Sequence, residues 1–273
     1  MRLLFIGDIV GRSGRAIVLQ RLPALRMQWQ LDCVVINAEN AAGGFGLTET
    51  ICDELIGAGA DALTLGNHSF DQREALVFIN RQPRLVRPAN YTKGTPGRGA
   101  AMVETARGAR VLVVSLIGRV YMGLAGDPFE AAEREIGACP LGAGCDAAIV
   151  DIHAEATSEK QAMGHFLDGR VSLVVGTHTH VPTADHQVLP GGTAFMTDAG
   201  MTGDYNSIIG MDKDEPIRRF LESAPGAKME PALGPSTLSG LAVETDDRTG
   251  FAVKVAPVRL GGRLSEARPE FWE

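Results

Sequence analysis

Short apolar runs alternate with longer amphipathic stretches over the first part of the chain. Runs with the length of buried strands occupy residues 2–7, 33–36 and 61–65. Between them, residues 13–27 place apolar side chains three and four positions apart, as on one face of a helix, and residues 48–59 also favour a helix. Ser13 and Thr48 are predicted to cap these helices. This alternation predicts a doubly wound, layered α/β architecture.

The rest of the chain predicts a second set of strands. Two further buried strands and the helix between them are expected at 146–151, 171–175 and 158–167. Alternating segments predict two hairpins, one formed by 101–105 and 111–116 and the other by 241–245 and 251–255. Another helix is expected at 215–223. Because no linker interrupts the sequence, we expect one domain spanning residues 1–273, in which these strands pack on the first sheet.

Composition and charge narrow the function classes. The 273 residues are 45% hydrophobic and 22% charged, which is usual for a globular protein. The net charge of -7 argues against an extended nucleic-acid surface, since such surfaces depend on clustered Lys and Arg, but a short nucleotide is compatible with it. No apolar run suits a signal sequence or a membrane span, and the four cysteines form no Cys-x-x-Cys pair. We therefore expect a cytoplasmic protein with reduced thiols and no membrane partner.

Polar side chains follow the first three predicted strands at the points where each one ends. They are Asp8 after the first strand, Glu39 and Asn40 after the second, and Asn67 and His68 after the third. Each of them taken alone is ordinary for a loop beyond a buried strand. Glu39 and Asn40, however, need partners for their charge and dipoles, and a metal ion is a natural partner.

Histidines follow the later strands in the same way. His153 lies just beyond the run at 146–151, and His178 and His180 follow the run at 171–175. Two histidines two positions apart in an extended segment point to the same side, which suits metal ligation. Asp198, which follows another apolar run, is interpreted as a residue that orients a ligand histidine.

Together these strand-end residues form a mixed set of carboxylate, amide and imidazole ligands without cysteine. Such a set suits borderline divalent ions such as manganese, iron or zinc. Apart from His68 and Asp198 there are seven such ligands, which are too many for one ion, whereas two ions that share a carboxylate would use them all. Two metal ions about 3.5 to 4 Å apart are the usual arrangement for in-line displacement at phosphorus. The sequence therefore predicts phosphoester hydrolysis.

The order of these groups resembles that of the calcineurin-like metallophosphoesterase superfamily. Within it, the chain is similar to the YmdB family through residues 6–11, 37–40, 151–155 and 197–203. The resemblance implies an α/β fold with four layers, α/β/β/α, and phosphodiesterase activity on 2′,3′-cyclic nucleotides. It also implies two metal ions, the first held by Asp8, Glu39, Asn40 and His180, and the second by the bridging Glu39 with Asn67, His153 and His178.

Two positions depart from the broad superfamily. Val10 stands where a histidine is usual, so the first metal loses a nitrogen ligand that the oxygen of Asn40 would replace. Glu39 stands where the bridging residue is usually Asp. Both departures match the YmdB-like subgroup. Because harder ligation shifts the preference away from zinc, we expect two divalent or mixed-valence ions of iron, manganese or both, with zinc or magnesium left open.

The predicted mechanism uses a metal-bridging hydroxide as the nucleophile. A water shared by two cations has its pKa lowered toward neutrality. His68, next to Asn67 but assigned no metal, is the candidate general acid. It would protonate the leaving 2′ oxygen of a 2′,3′-cyclic nucleotide and so leave a 3′-nucleotide.

Alternatives to this interpretation stay open. A phosphomonoesterase or protein phosphatase would share every ligand and differ only in its relative rates on monoesters and diesters. A regulatory protein that binds a nucleotide in the same cleft with little turnover would be consistent with Val10. A homo-oligomer is also left open, with residues 225–235 as the candidate contact.

Overall fold

The computed structural model describes residues 1–222 and 226–272. The strands are β1 (Arg2–Ile6), β2 (Cys33–Asn37), β3 (Ala62–Thr64), β4 (Leu85–Val86), β5 (Ala100–Glu104), β6 (Arg110–Ile117), β7 (Ala147–His153), β8 (Leu173–Thr177), β9 (Gln187–Val188), β10 (Ala194–Met196), β11 (Leu238–Thr245) and β12 (Ala252–Leu260). The helices are α1 (Gly11–Gln28), α2 (Glu49–Gly57), α3 (Ala75–Phe78), α4 (Pro128–Ala138), α5 (Thr157–Phe166) and α6 (Asp214–Glu222), with a 3₁₀ turn at Glu270–Trp272. The helix predicted at 215–223 is α6, although residue 223 lies outside the described residues, as does residue 225 of the candidate contact at 225–235.

The first sheet contains the amino-terminal strands. Its order is β12-β11-β1-β2-β3-β4. Strands β1 to β4 run parallel, and β11 pairs antiparallel with β1, so that Leu4 lies opposite both Val34 and Ala242. Strands β11 and β12 pair antiparallel and confirm the carboxy-terminal hairpin that the alternating pattern predicts.

The second sheet has the order β5-β6-β7-β8-β10-β9. Its central strands β6, β7, β8 and β10 are parallel, and β5 and β9 add antiparallel edges. The pairing of β5 with β6 confirms the other predicted hairpin, with Val103 opposite Val111. Parallel strands of this kind need helices on their outer faces, because both faces of each strand must be covered.

Alternation along β1 shows how the layers are built. Leu3 and Phe5 face the second sheet, in a buried core that they share with Val113. Leu4 and Ile6 face the opposite way, into a core formed with helices α1 and α2. The outer face of the second sheet packs against α4 and α5 in the same manner. These four layers, α/β/β/α, confirm the predicted fold class.

The two amino-terminal helices agree with the sequence to different degrees. Thr48 caps α2 as predicted, since its side chain accepts a hydrogen bond from a backbone N–H in the first turn (3.3 Å). The prediction that α1 begins at Ser13 is wrong, because the helix begins at Gly11 and the Ser13 hydroxyl donates to the carbonyl of Ala232 (2.8 Å). The N–H of Gly11 donates to a carbonyl beyond β2 (2.9 Å), so a tertiary contact fixes this helix end.

The loops at the carboxyl ends of the parallel strands meet at one edge of the molecule. Loops that follow β1, β2 and β3 in the first sheet contact residues at the ends of β7 and β8 in the second. This edge is where open α/β sheets commonly bind ligands. Among residues 1–222 and 226–272, no helix combines the length and the apolar character needed to cross a membrane.

Candidate metal centre

All the residues predicted as metal ligands lie together at this edge. The first sheet contributes Asp8, Glu39, Asn40 and Asn67, and the second contributes His153, His178 and His180. Donor atoms of Glu39, His153 and His178 lie within 4.8 Å of one another. The fold therefore gathers side chains from loops that are far apart in the sequence, and most of them are buried.

His153 lies where the donor atoms converge. Its Nε2 atom is 2.9 Å from the Glu39 carboxylate and 2.9 Å from the side-chain oxygen of Asn67. Nδ1 of His178 is 3.1 Å from the same atom. On the other side of the His153 ring, its Nδ1 atom is 2.8 Å from the Thr177 hydroxyl. That hydroxyl donates its own proton to a buried carboxylate and so accepts the proton on Nδ1 of His153. Nε2 is then the ring nitrogen that faces other acceptors, and either a proton or a bound cation on it would satisfy them.

Asp8, Asn40 and His180 form the other half of the cluster. Nε2 of His180 is 3.8 Å from Oδ1 of Asp8 and 3.2 Å from the Asn40 amide nitrogen. That nitrogen is 3.3 Å from Oε1 of Glu39, so the Glu39 carboxylate contacts both halves. Oδ1 of Asp8 is buried and has no hydrogen-bond partner within the described part of the chain. A buried carboxylate oxygen without a partner is costly, so the donor set fits a bound metal ion.

The electrostatics of the cluster favour added positive charge. Burial raises the pKa of Asp8. Burial acts in the same direction on Glu39, but the charge and hydrogen bond of His153 outweigh it and lower the pKa of Glu39 to about 2. Burial works against protonation of His153, yet Glu39 raises the pKa of this ring to about 9. Burial lowers the pKa of His178 to about 3, so its ring is neutral and can donate a lone pair to a metal.

Asp151 supports the cluster from beneath and was not predicted from the sequence. Its carboxylate accepts hydrogen bonds from the Thr64 hydroxyl (2.5 Å) and the Asn37 amide (3.1 Å) of the first sheet. It also accepts one from the Thr177 hydroxyl (2.7 Å), which contacts His153. Burial raises the pKa of Asp151 to about 6. The signal in the sequence is a polar residue within the apolar β7 and others at the last positions of β2, β3 and β8.

The segment that carries His178 and His180 is not extended, which corrects the prediction. Strand β8 ends just before it, and the two residues adopt φ values of 93° and 65°. Left-handed backbone is uncommon outside glycine, so neighbouring contacts must hold it. One such contact joins Nδ1 of His180 to the carbonyl of Ile209 (2.7 Å), which leaves Nε2 of His180 facing the centre.

Asp198 acts on this segment through the residue between the two histidines. Its carboxylate accepts hydrogen bonds from the N–H and the hydroxyl of Thr179, at 3.1 and 2.6 Å. The same carboxylate forms a fully buried ion pair with Lys160 (2.7 Å). The interpretation that Asp198 orients a ligand histidine therefore needs correction, because its contacts here are with Thr179 and Lys160 and hold the loop backbone.

His68 lies beside the cluster rather than within it. Its Nδ1 atom is 2.7 Å from the Asp71 carboxylate, and its backbone N–H donates to Glu39 (3.0 Å). The ring packs edge-on against Phe45, with 5.1 Å between centroids. His68 also lines a cavity of about 580 Å³ that reaches Glu39 and His178. A histidine in this position can exchange a proton with a group bound in the cavity.

The fold and the cluster together define the class of protein. Four α/β/β/α layers with carboxylate, amide and imidazole donors at the strand ends describe a phosphoesterase of the metallophosphoesterase type. Residues 4–258 match the model of YmdB-like proteins, and the chain belongs to that family.

Individual relatives agree with this family. A Bacillus subtilis protein named 2′,3′-cyclic-nucleotide 2′-phosphodiesterase is 48% identical over 260 residues, which cover 95% of this chain and 97% of that protein. The structure of a hypothetical protein from Thermus thermophilus superposes with a TM-score of 0.89 at 40% identity, covering 96% of this chain and all (100%) of that one. A novel phosphatase from Mycoplasma pneumoniae superposes with a TM-score of 0.88 at 34% identity, covering 99% and 95%.

Proposed function

We propose that this protein is a metal-dependent phosphodiesterase that opens 2′,3′-cyclic nucleotides to 3′-nucleotides. The observation that carries the proposal is the buried cluster in which Glu39, His153 and His178 direct donor atoms at one point. One of its buried oxygens, Oδ1 of Asp8, has no hydrogen-bond partner in the described chain, and a bound cation would supply one. The 48% identity to a protein named 2′,3′-cyclic-nucleotide 2′-phosphodiesterase supports this choice of substrate.

In this proposal the cluster would hold two metal ions, and Glu39 would contribute to both sites. The remaining ligands would be Asp8, Asn40 and His180 for the first ion, and Asn67, His153 and His178 for the second. A half-turn of the Asn40 side-chain amide would present its oxygen where its nitrogen now faces His180. Hard and borderline donors without sulfur favour iron or manganese. When bound, such an ion pair supplies Lewis acidity toward the phosphoryl oxygens and a water of lowered pKa.

His68 is the proposed general acid. The Asp71 carboxylate lies 2.7 Å from Nδ1 and fixes the orientation of the ring. The backbone N–H of His68 donates to Glu39, so the loop that carries the acid is tied to the ligand cluster. Nε2 is then the atom that would pass a proton to the leaving 2′ oxygen, and the product would be a 3′-phosphate.

The proposed roles can be tested with 2′,3′-cyclic AMP and metal-loaded protein. We expect 3′-AMP as the product and a fall in kcat of about 10²- to 10⁴-fold in His68→Ala. His165→Ala is the matched control, because His165 is an exposed histidine on α5, and it should leave turnover unchanged. A product of 2′-AMP, or unchanged turnover in His68→Ala, would contradict the assignment of the acid.

Metal content tests the ligand set separately from turnover. Elemental analysis of the purified protein should find two ions per chain, and Asp8→Asn should lose one of them. Asp53→Asn is the control, since this exposed carboxylate lies on α2 outside the cluster. A native protein that takes up no metal would exclude the proposed mechanism.

A phosphomonoesterase is the second candidate function. The structure named as a novel phosphatase from Mycoplasma pneumoniae shares the fold at 34% identity. This likeness supports phosphomonoester hydrolysis as the second candidate. The two functions use the same ligands, so only rates separate them. Faster hydrolysis of 3′-AMP than of 2′,3′-cyclic AMP would favour the monoesterase.

A further inference from the structure

Two chemically different groups of residues line the cavity beside the candidate metal centre. Its volume is about 580 Å³, which lies in the range of small-molecule sites. One group, here called the polar end, belongs to the polar cluster. The other, here called the apolar wall, consists of Phe45, Ile208, Ile209, Met211, Pro216, Phe220 and Met229. A molecule that fills this cavity would therefore meet both the polar groups of the cluster and a large apolar surface.

The apolar wall presents large side chains to solvent. Phe220 on α6 is 85% exposed, and Ile209 is 55% exposed. Arg219, which also lines the cavity, donates hydrogen bonds to Glu215 (2.7 Å) and to the carbonyl of Ala227 (2.7 Å), so its charge is already paired. Recognition at this wall would therefore depend on apolar contact area more than on hydrogen bonds.

Ile209 connects the apolar wall to the metal centre. Its φ is 46°, which is a strained conformation for a β-branched residue. Its carbonyl accepts the hydrogen bond from Nδ1 of His180 (2.7 Å). The same residue thus orients a proposed metal ligand through its backbone and lines the wall with its side chain. This hydrogen bond ties the position of Ile209 in the wall to that of His180 in the centre.

We propose that the apolar wall binds the nucleobase of the substrate while the cyclic phosphate lies at the polar end. The inference rests on the proposed function and adds to it the residues that recognise the base. Every nucleobase offers flat apolar faces that stack on aromatic side chains such as Phe220. The site should therefore prefer diesters with a base over diesters without one, and purines over pyrimidines because of their larger faces.

The test compares 2′,3′-cyclic AMP with methyl ribofuranoside 2′,3′-cyclic phosphate, which has the same reacting ring and no base. Native metal-loaded protein should have the higher kcat/KM on 2′,3′-cyclic AMP. In Phe220→Ala this preference should fall about 5- to 150-fold through KM, which corresponds to the roughly 1–3 kcal/mol typical of stacking on one aromatic residue. Leu221→Ala is the matched control, because Leu221 is the next residue of α6, is 80% exposed and does not line the cavity.

A binding measurement keeps the inference separate from catalysis. Adenosine, which has the base but no phosphate, should give saturation-transfer NMR signals from its base protons with metal-free native protein. The signals should weaken in Phe220→Ala and persist in Leu221→Ala. If native protein hydrolyses neither diester, the proposed function fails, and the adenosine signals still report on the wall.

Two results would overturn the inference. One is an equal loss on both diesters in Phe220→Ala, which would mean that the side chain does not contact the base. The other is a wall covered by a second copy of the chain. In that case Phe220→Ala would lower the mass measured by light scattering and leave the preference for the base unchanged.

Discussion

Gly66 shows how closely the backbone approaches the candidate centre. A Cβ atom at this position would lie 2.3 Å from Cδ2 of His153 and 2.4 Å from Oε2 of Glu39. Neither neighbour can retreat easily, because both side chains are buried and hydrogen-bonded. The absence of a side chain at residue 66 is therefore a condition for the two donors to meet.

Gly66→Ala should disrupt the centre. We expect a fall of at least about 10-fold in metal affinity, because displaced donors lose their shared geometry. Gly57→Ala is the control, since a Cβ there meets nothing within 4 Å and the residue ends helix α2. That variant should keep its metal and gain about 0.5–1 kcal/mol of stability. Equal metal content in the two variants would contradict this account of Gly66.

Thr177 offers a second test at the scale of one residue. Its hydroxyl lies between Nδ1 of His153 and the Asp151 carboxylate, so it fixes which ring nitrogen carries the proton. Thr177→Val keeps the shape and removes that hydroxyl, and should weaken metal binding about 10- to 100-fold. Thr177→Ser should restore the affinity. Competition with a chelating dye measures both, and equal affinities in the two variants would exclude this role.

At the scale of elements, the buried ion pair of Lys160 and Asp198 joins helix α5 to the loop after β8. Both side chains are fully buried, with 2.7 Å between Nζ and Oδ2. The carboxylate also holds Thr179, which lies between His178 and His180. Helix α5 therefore contributes to the centre without supplying a ligand.

Lys160→Met should destabilise the protein by about 3–5 kcal/mol, because it leaves a buried carboxylate without its cation. Adding Asp198→Asn to this variant should recover part of the loss. Glu133→Gln is the control: it removes one partner of the exposed pair with Arg170 and should leave the midpoint of urea unfolding unchanged. Equal midpoints for Lys160→Met and the native protein would refute the role of the pair.

The sequence predicts an element correctly where the local pattern decides its structure. Prediction fails where tertiary contacts decide it. Thr48 caps α2 through its own side chain, so the sequence suffices there. Gly11 begins α1 because its N–H donates to a carbonyl beyond β2, which no local pattern contains. His178 and His180 adopt left-handed backbone for the same kind of reason, since partners distant in the sequence hold them, Asp8 for His178 and Ile209 for His180.

At the scale of the whole molecule, the four layers follow from alternation that is visible in the sequence, as with Leu3 and Phe5 on one face of β1 and Leu4 on the other. The gathering of polar groups at the strand ends could be predicted from parallel topology and from the resemblance to a known family. The hydrogen bonds of Asp151 could not, because they join side chains of both sheets. Their existence depends on how the sheets are superposed, which strand patterns do not specify.

Removal of metal should lower the free energy of unfolding of the whole molecule, because the proposed ligands come from both sheets. A ligand whose free concentration is about 100 times its Kd stabilises the native state by about 2.7 kcal/mol. For a chain of this size, that corresponds to a Tm shift of about 5 to 10 °C. We expect EDTA to lower the Tm, added manganese to restore it, and Asp8→Asn to show a smaller shift. Calorimetry that finds the same Tm with and without EDTA would argue against a stabilising metal centre.

The division of the centre between the two sheets has one more consequence. The separations between its polar groups are 2.9 to 3.8 Å, and one residue along a strand spans about 3.3 Å. A slip of one sheet over the other by a single residue would be as large as the separations themselves. Turnover therefore depends on the alignment of the two sheets. A refolding chain should regain its circular dichroism before it regains its activity.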